Sequence, residues 1–269
     1  MYKMIVTDLD GTLLNKDRKV TKSTIEYLTN LKNKGYIICI NSGRTLGLSK
    51  YATLNAEFAS YIISDNGSCI YDLNNNKYIF ESKLSNDLVK SIFLKYIDSY
   101  SDFEINTRDY AYRYSTNKID NNSLFIVVNN KEEFINKIDN VYNITFSLKD
   151  DNINILNDLN KIEGINMFIM QDSFSDKKWV KIGNIGITKY SSLMILANKL
   201  KIDNQRIIAF GDGLNDIDMI KNVGLGVAIK NALPEIKEVA KDITLLDNNH
   251  DGVIEYLKNK VELEICNNK

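Results

Sequence analysis

The chain has 269 residues, 44% of them hydrophobic, enough for one large buried core or two ordinary ones. Lys and Arg number 34 against 35 Asp and Glu, a formal net charge of -1, and without a basic excess neither nucleic acid nor an acidic membrane surface is an expected partner. Three cysteines at wide spacings, Cys39, Cys69 and Cys266, suggest neither a disulfide framework nor a zinc cluster and read as free thiols in a reducing compartment.

Met1 is followed almost at once by a strand-like run, which leaves no room for a cleavable leader, and no apolar stretch approaches the ~20 residues of a bilayer span. A cytoplasmic protein is expected. The first run, residues 4–7, stops at "DLDGT". Positions two apart in a strand share a side, so Asp8 and Asp10 are expected to project together into a cleft at its carboxyl end. Next, "VTKSTIEYLTNLKNKG" sets Ile25, Leu28 and Leu31 at helical spacing, with Gly35 where a terminating glycine belongs. A second run, 36–40, ends at "NSGR", and a third, 61–64, at "DNG". Strand, helix, strand is a βαβ unit, hence a parallel sheet.

From about 84 to 186 the pattern changes. Aromatic runs such as "YAYRYS" and "LFIVV" alternate with helical ones such as "KEEFINKIDN", which reads as an α+β insertion between two halves of the sheet domain (1–83 and 187–269). "TKYSSLMILANKL" then has Thr188 as N-cap, Lys189 in the first turn and an apolar set in Leu193, Leu196 and Leu200. A fourth run, 207–210, ends at "GDGLND", which brings Asp212 and Asp216. Pro234 reads as a helix-start residue and His250, the single histidine, as a solvated loop residue.

Ligands of open parallel sheets bind beyond the carboxyl ends of the strands, so the four polar clusters are expected to converge on one site. Close carboxylates repel, and a cation relieves that cost; oxygen-only ligation suits Mg2+. Ser42 offers a hydroxyl to an anion. A cation in the first turn of a helix opposes the macrodipole, so Lys189 also calls for an anionic partner. With one histidine, Ser/His/Asp triads and histidine-rich zinc sites are poor candidates.

"DLDGTLL", "NSGR", Lys189 in "GITKYSSL", and "GDGLNDIDMI" resemble the four signature motifs of the haloacid dehalogenase superfamily, in order and with compatible spacing. "DNGS", "GLGVAIKNA" and "DGVIEYL" are similar to its Cof-type branch of sugar-phosphate and small-metabolite phosphatases. The resemblance covers the sheet domain; the insertion, 84–186, resembles a type IIB (C2B) cap by position and size. It implies a doubly wound, Rossmann-like α/β core with an inserted α+β lid, and a cytoplasmic Mg2+-dependent phosphatase, monomer or weak homodimer, acting on a small phosphorylated metabolite.

By the same resemblance Asp8 is the nucleophile, forming an aspartyl phosphate, and Asp10 its general acid and base. Thr12, Ser42, Gly43, Lys189 and Asn215 form the phosphate-binding set, Thr12 also supporting the loop. The metal is held by Asp8, the backbone carbonyl of Asp10, and Asp212, with Asp216 in or behind the ligand shell. Ser42 stands where threonine is frequent, which keeps the hydroxyl, and Tyr190 follows the lysine where glycine is common. In the insertion, Arg108, Tyr112, Arg113 and Trp179 combine cationic and aromatic groups suited to a polar leaving group. Rival readings are a phosphomutase of the same superfamily, a non-catalytic sugar-phosphate sensor, a receiver domain whose acids and lysine fall in another order, and a DxD glycosyltransferase, which lacks a "GDGLND" partner.

Overall fold

Strands that are apolar throughout are buried on both faces, as in parallel sheets covered by helices. In a computed structural model of the chain, which describes residues 2–108, 110–115, 125–148, 153–171 and 178–266, that is how the first runs fold. Strand β1 is Met4–Thr7, buried throughout. Helix α1, Lys22–Asn33, starts where the Thr21 side chain accepts from the Thr24 N–H. Strand β2 is Ile37–Asn41, one residue later than the apolar run: Tyr36 still donates its N–H to Leu31 O at 3.1 Å as the chain leaves the helix. Helix α2, Leu46–Ala52, and strand β3, Tyr61–Ser64, follow, and then a hairpin of β4, Cys69–Asp72, and β5, Lys77–Glu81.

The chain divides into two units, Met1–Phe80 with Thr188–Lys269, and Glu81–Ile187; the expected insertion was 84–186. The second unit carries α3 (Asn86–Tyr96), β6 (Tyr100–Thr107), β7 (Ala111–Tyr114), β8 (Ile126–Val128), α4 (Lys131–Asn136), β9 (Val141–Leu148), α5 (Ile153–Leu159), β10 (Ile165–Gln171) and β11 (Lys178–Asn184). Among the described residues these strands form one sheet ordered β10-β11-β9-β6-β7-β8. Alternation gives it two chemistries. Phe103, Ile105, Ile144, Phe146, Val180 and Ile182 pack with Phe93 of α3, Phe134 of α4 and Leu159 of α5, whereas Glu104, Asn106, Asn143 and Lys181, of opposite parity, are buried and polar.

The first unit resumes with α6 (Lys189–Lys199), β12 (Ile207–Gly211), α7 (Ile217–Asn222), β13 (Leu225–Ala228), α8 (Pro234–Val239), β14 (Asp242–Ile243) and α9 (Gly252–Cys266). Its sheet, among the described residues, has the order β14-β13-β12-β1-β2-β3-β4-β5. The run from β14 to β3 is parallel, and β4 turns back against β3. On one face Ile5, Ile38, Ile62 and Phe210 pack with Leu28 and Leu31 of α1 and Leu257 of α9. On the other Met4, Val6, Cys39 and Ala209 pack with Leu193 and Leu196 of α6 and Met219 of α7. Helices on both faces make the core a doubly wound α/β sheet with β1 and β12 central, so their carboxyl ends are side by side.

Candidate active site

Strand pairing ends at Thr7, so the two-residue alternation does not carry on to Asp10. Asp8 is extended (φ -68°, ψ 170°) and its N–H donates to Phe210 O of β12 at 3.1 Å. Residues 9–13 then form a tight irregular turn in which Gly11 has φ 75°. A Cβ at Gly11 would meet the Asp212 carboxylate at 2.2 Å, so only glycine allows the turn to lie against that side chain. Thr12 Oγ1 donates to Asp212 Oδ1 at 2.6 Å, and Asn231 Nδ2 caps the turn on Gly11 O at 2.8 Å. The two strand ends are thereby joined through their side chains.

Lys189 begins α6, whose N-cap Thr188 and third residue Ser191 bond each other's backbone. Asn41 Nδ2 donates to Lys189 O at 3.0 Å, and Gly67 (φ 106°) lies so close to Thr188 O that a Cβ there would be 2.4 Å away. These contacts fix a lysine that is 1% exposed. Its Nζ lies 2.8 Å from Asp8 Oδ1 and 2.7 Å from Asp216 Oδ1. The other Asp216 oxygen accepts from the Asp212 and Gly213 N–H groups, each at 3.1 Å. Asp216 therefore spends both oxygens on holding Lys189 and the turn after β12.

Burial raises the Asp8 carboxyl well above its ordinary range, and the charges of Asp216 and Asp212 add to this against the opposing pull of Lys189. Burial also pushes Asp212 up to about 6, with Asp216 adding and the Thr12 hydrogen bond opposing. For Lys189 burial favours loss of the proton, but Asp216 and Asp8 outweigh it and raise the ammonium above its usual value. The cause is a count: three carboxylates surround one ammonium, a local charge of -2 when all are ionised. One oxygen from each of Asp8, Asp212 and Asp216 lies within 4.8 Å of the others, so a small hard dication fits both the donor type and the charge deficit.

Ser42, 1% exposed, follows β2; its Oγ accepts from the Arg44 N–H at 3.2 Å. Beside it a Cβ on Gly43 would be 2.9 Å from Asn66 Oδ1 and 3.6 Å from Asn215 Nδ2, and Asn215 donates to Asn66 at 2.9 Å. Ser42, Gly43 and Asn215 are thus neighbours, joined by Asn66. The Asp10 carboxylate is not in the acidic cluster. It is 54% exposed and bridged by Arg44, whose Nε and terminal nitrogen lie 2.6 and 2.5 Å from its two oxygens. Arg44, Asn66 and Asn231 were not singled out from sequence, although they stand in "NSGR", "DNG" and "GVAIKNA"; their position at strand ends was the available signal.

In the second unit, Arg108 is tied to Glu81, which also accepts from Tyr142 OH at 2.6 Å. Arg113 pairs with the buried Glu104 through its Nε at 2.8 Å and a second nitrogen, and stacks over the Phe125 ring. Tyr112 is partly buried against the aromatic core and meets the Tyr110 ring at 5.9 Å. Trp179 is half-buried, opposite Ser147 and Met170 in the sheet. Arg113 and Trp179 share the polar parity with Glu104 and Lys181, whereas Tyr112 belongs to the apolar one. No helix among the described residues is long and apolar enough to cross a membrane.

A family model described as haloacid dehalogenase-like hydrolase matches residues 5–257. A relative from Buchnera aphidicola (subsp. Acyrthosiphon pisum), provisionally named a phosphatase, is 32% identical over 281 residues, covering 100% of this chain and 99% of that protein. A 5-amino-6-(5-phospho-D-ribitylamino)uracil phosphatase of Bacillus subtilis is 29% identical over 262 residues, 96% of each chain. Among solved structures, a haloacid dehalogenase-like hydrolase from Bacteroides thetaiotaomicron superposes with a TM-score of 0.82 at 27% identity, covering 96% of this chain and 99% of that one.

Proposed function

The chain belongs to the haloacid dehalogenase-like hydrolase family and is a phosphatase, and from that premise we propose that it is a cytoplasmic, Mg2+-dependent hydrolase of small phosphorylated metabolites, sugar phosphates or similar, working through an aspartyl phosphate on Asp8. The observation that carries this reading is a buried Asp8 held 2.8 Å from Lys189, beside Asp212, at the carboxyl ends of the two central strands.

In the first step an Asp8 oxygen attacks phosphorus, the bond from phosphorus to the leaving oxygen breaks with its electron pair on that oxygen, and Asp10 supplies the proton. In the second, water attacks phosphorus and gives its proton to Asp10, and the electron pair of the breaking bond returns to Asp8. Lys189, the Ser42 hydroxyl, Asn215 and the backbone N–H of Gly43 hold the phosphoryl oxygens, and Thr12 keeps Asp212 aimed at the site. Asp8, the backbone carbonyl of Asp10 and Asp212 would hold Mg2+, with Asp216 behind them, and the ion would neutralise charge on the transferring group. Selection among leaving groups is assigned to the second unit, with Arg108, Tyr112, Arg113 and Trp179 as its candidates.

Release of inorganic phosphate should be assayed over a panel of phosphorylated metabolites that includes sugar phosphates and 5-amino-6-(5-phospho-D-ribitylamino)uracil, the compound that the Bacillus subtilis relative is named for. Turnover of one or more with Mg2+, and none in EDTA, is expected. An isomerised phosphate ester as product would instead mark a mutase, and binding without turnover a sensor.

The metal reading also fixes a pH dependence. With the folded-state value of Asp212 raised to about 6 from an ordinary 3.8, its contribution to the stability of the metal-free protein is complete below 3.8 and is lost as pH rises through about 6. Mg2+ competes with the same protons, so it should raise the melting temperature clearly at pH 7.5 and little at pH 5. An equal shift at both pH values would show that these carboxylates are not its ligands.

A further inference from the structure

Arg44 is the cation of this site that the phosphate chemistry above leaves without a task. Its backbone is pinned on both sides: its N–H donates to Ser42 Oγ at 3.2 Å, and its carbonyl accepts the Asp65 N–H at 2.9 Å. The Arg44 side chain is only 16% exposed. Asp10 is the opposite case. It lies in the irregular turn, next to Gly11 at φ 75°, with 54% of its side chain exposed. Among the described residues the hydrogen bonds to its carboxylate come from Arg44, one to each oxygen, at 2.6 and 2.5 Å. The hydrogen bond to Asp10 and its charge raise the Arg44 guanidinium above its ordinary value, so the fork stays charged.

We propose that Arg44 is a positioning residue for Asp10: a rigid fork that holds the exposed carboxylate of this turn where it meets the leaving-group oxygen. The inference rests on the phosphatase reading, in which Asp10 handles the proton. A bidentate fork fixes the plane of a carboxylate as well as its place, which a point charge cannot do. Each Asp10 oxygen has two lone pairs, and the fork takes one from each. A lone pair on each oxygen remains for the proton that moves to the leaving oxygen as the phosphorus–oxygen bond breaks, and that returns from water in the second step. Without the fork Asp10 keeps its chemistry and loses its aim; misplacement of a catalytic group by about 1 Å can cost ~10²-fold.

A positioned acid matters most where the leaving oxygen is most basic. kcat/KM, which reports the first irreversible phosphoryl transfer, should be measured for wild type, Asp10→Asn, Arg44→Ala and Arg44→Lys with an alkyl phosphate, p-nitrophenyl phosphate and 2,4-dinitrophenyl phosphate. For Arg44→Ala the expected loss is ~10²-fold on the alkyl ester and several-fold at most on the dinitrophenyl ester. Arg44→Lys should resemble Arg44→Ala because the fork is gone, and added guanidinium should restore part of the alkyl-ester activity to Arg44→Ala alone. Inhibition by inorganic phosphate should be unchanged in Arg44→Ala.

Equal loss on all three esters, or weakened inhibition by inorganic phosphate, would make Arg44 a structural or phosphate-binding residue and overturn the proposal; undiminished activity would do the same. The Asp10→Asn series separates this from the reading beneath it. If Asp10→Asn shows the leaving-group dependence and Arg44→Ala does not, the positioning role fails alone. If Asp10→Asn shows none, the proton-transfer role of Asp10 fails, and the role of Arg44 with it.

Discussion

Asp8→Asn is expected to abolish turnover, by about 10⁴-fold or more, while the metal-free protein at pH 7 becomes at least as stable as wild type. The first effect follows from the chemistry, because an amide oxygen is nearly isosteric with a carboxylate oxygen and a poor nucleophile. The second follows from the charge count. Burial, Asp216 and Asp212 raise the Asp8 carboxyl against the pull of Lys189, so its stabilising contribution is complete below 3.8 and falls as pH climbs towards its raised folded value. Ionising Asp8 is therefore a net cost in the absence of metal. The neutral amide removes that cost, and Lys189 keeps Asp216 at 2.7 Å as its partner. Thermal melts in EDTA together with p-nitrophenyl phosphate turnover check both halves. Near wild-type turnover in this variant would contradict the nucleophile, and a strongly lowered melting temperature would contradict the charge count.

Lys189→Ala has the opposite balance. Removing the ammonium leaves Asp8, Asp212 and Asp216 close together with no cation and opens a hole at a position 1% exposed. Breaking a buried ion pair by deleting one partner typically costs about 3–5 kcal/mol, which for a chain of this size is a fall in melting temperature on the order of 10 °C. Activity should fall as well, because the phosphoryl oxygens lose their fixed cation. The coupling is also specific: with the Lys189 ammonium 2.8 Å from Asp8, Asp8→Asn should stabilise the Lys189→Ala protein by more than it stabilises wild type. Denaturant unfolding in EDTA measures both. Additive changes would show that Asp8 and Lys189 are not coupled.

The parts legible in the sequence were those set by burial and capping. The runs before "DLDGT", "DNG" and "GDGLND" are largely apolar on both faces because helices cover both sides of the sheet, and each folds as a strand. Thr188 caps α6 as its spacing implied, and Lys189 does open that helix. Other features depend on contacts between distant segments. Asn41 fell beyond the apolar run, yet it completes β2 by pairing with Ile63 of β3, its side-chain amide satisfied by Lys189 O. Strand β13 was hidden by its glycine, and at Gly226 a Cβ would lie 1.8 Å from Ile220 O, a constraint imposed by α7. Strand β14 has two residues, too few for a periodic signal. Alternation placed Asp8 and Asp10 together, but the strand stops at Thr7 and the Gly11 turn sends Asp10 to Arg44, 34 positions along the chain. In the second unit alternation separates an apolar from a polar sheet face only once the register is known, which is why Arg113 and Tyr112 looked alike in sequence and differ in surroundings.

The most direct test of the account is the identity of the covalent intermediate. The protein should be acid-quenched during steady turnover of p-nitrophenyl phosphate with Mg2+ and treated at once with borohydride, which reduces an aspartyl phosphate to the alcohol and leaves a free carboxylate untouched; peptide mass spectrometry then locates the reduced residue. The account predicts reduction at Asp8, dependent on substrate and absent in Asp8→Asn. Reduction at another residue, or none at position 8 while the enzyme is turning over, would contradict it.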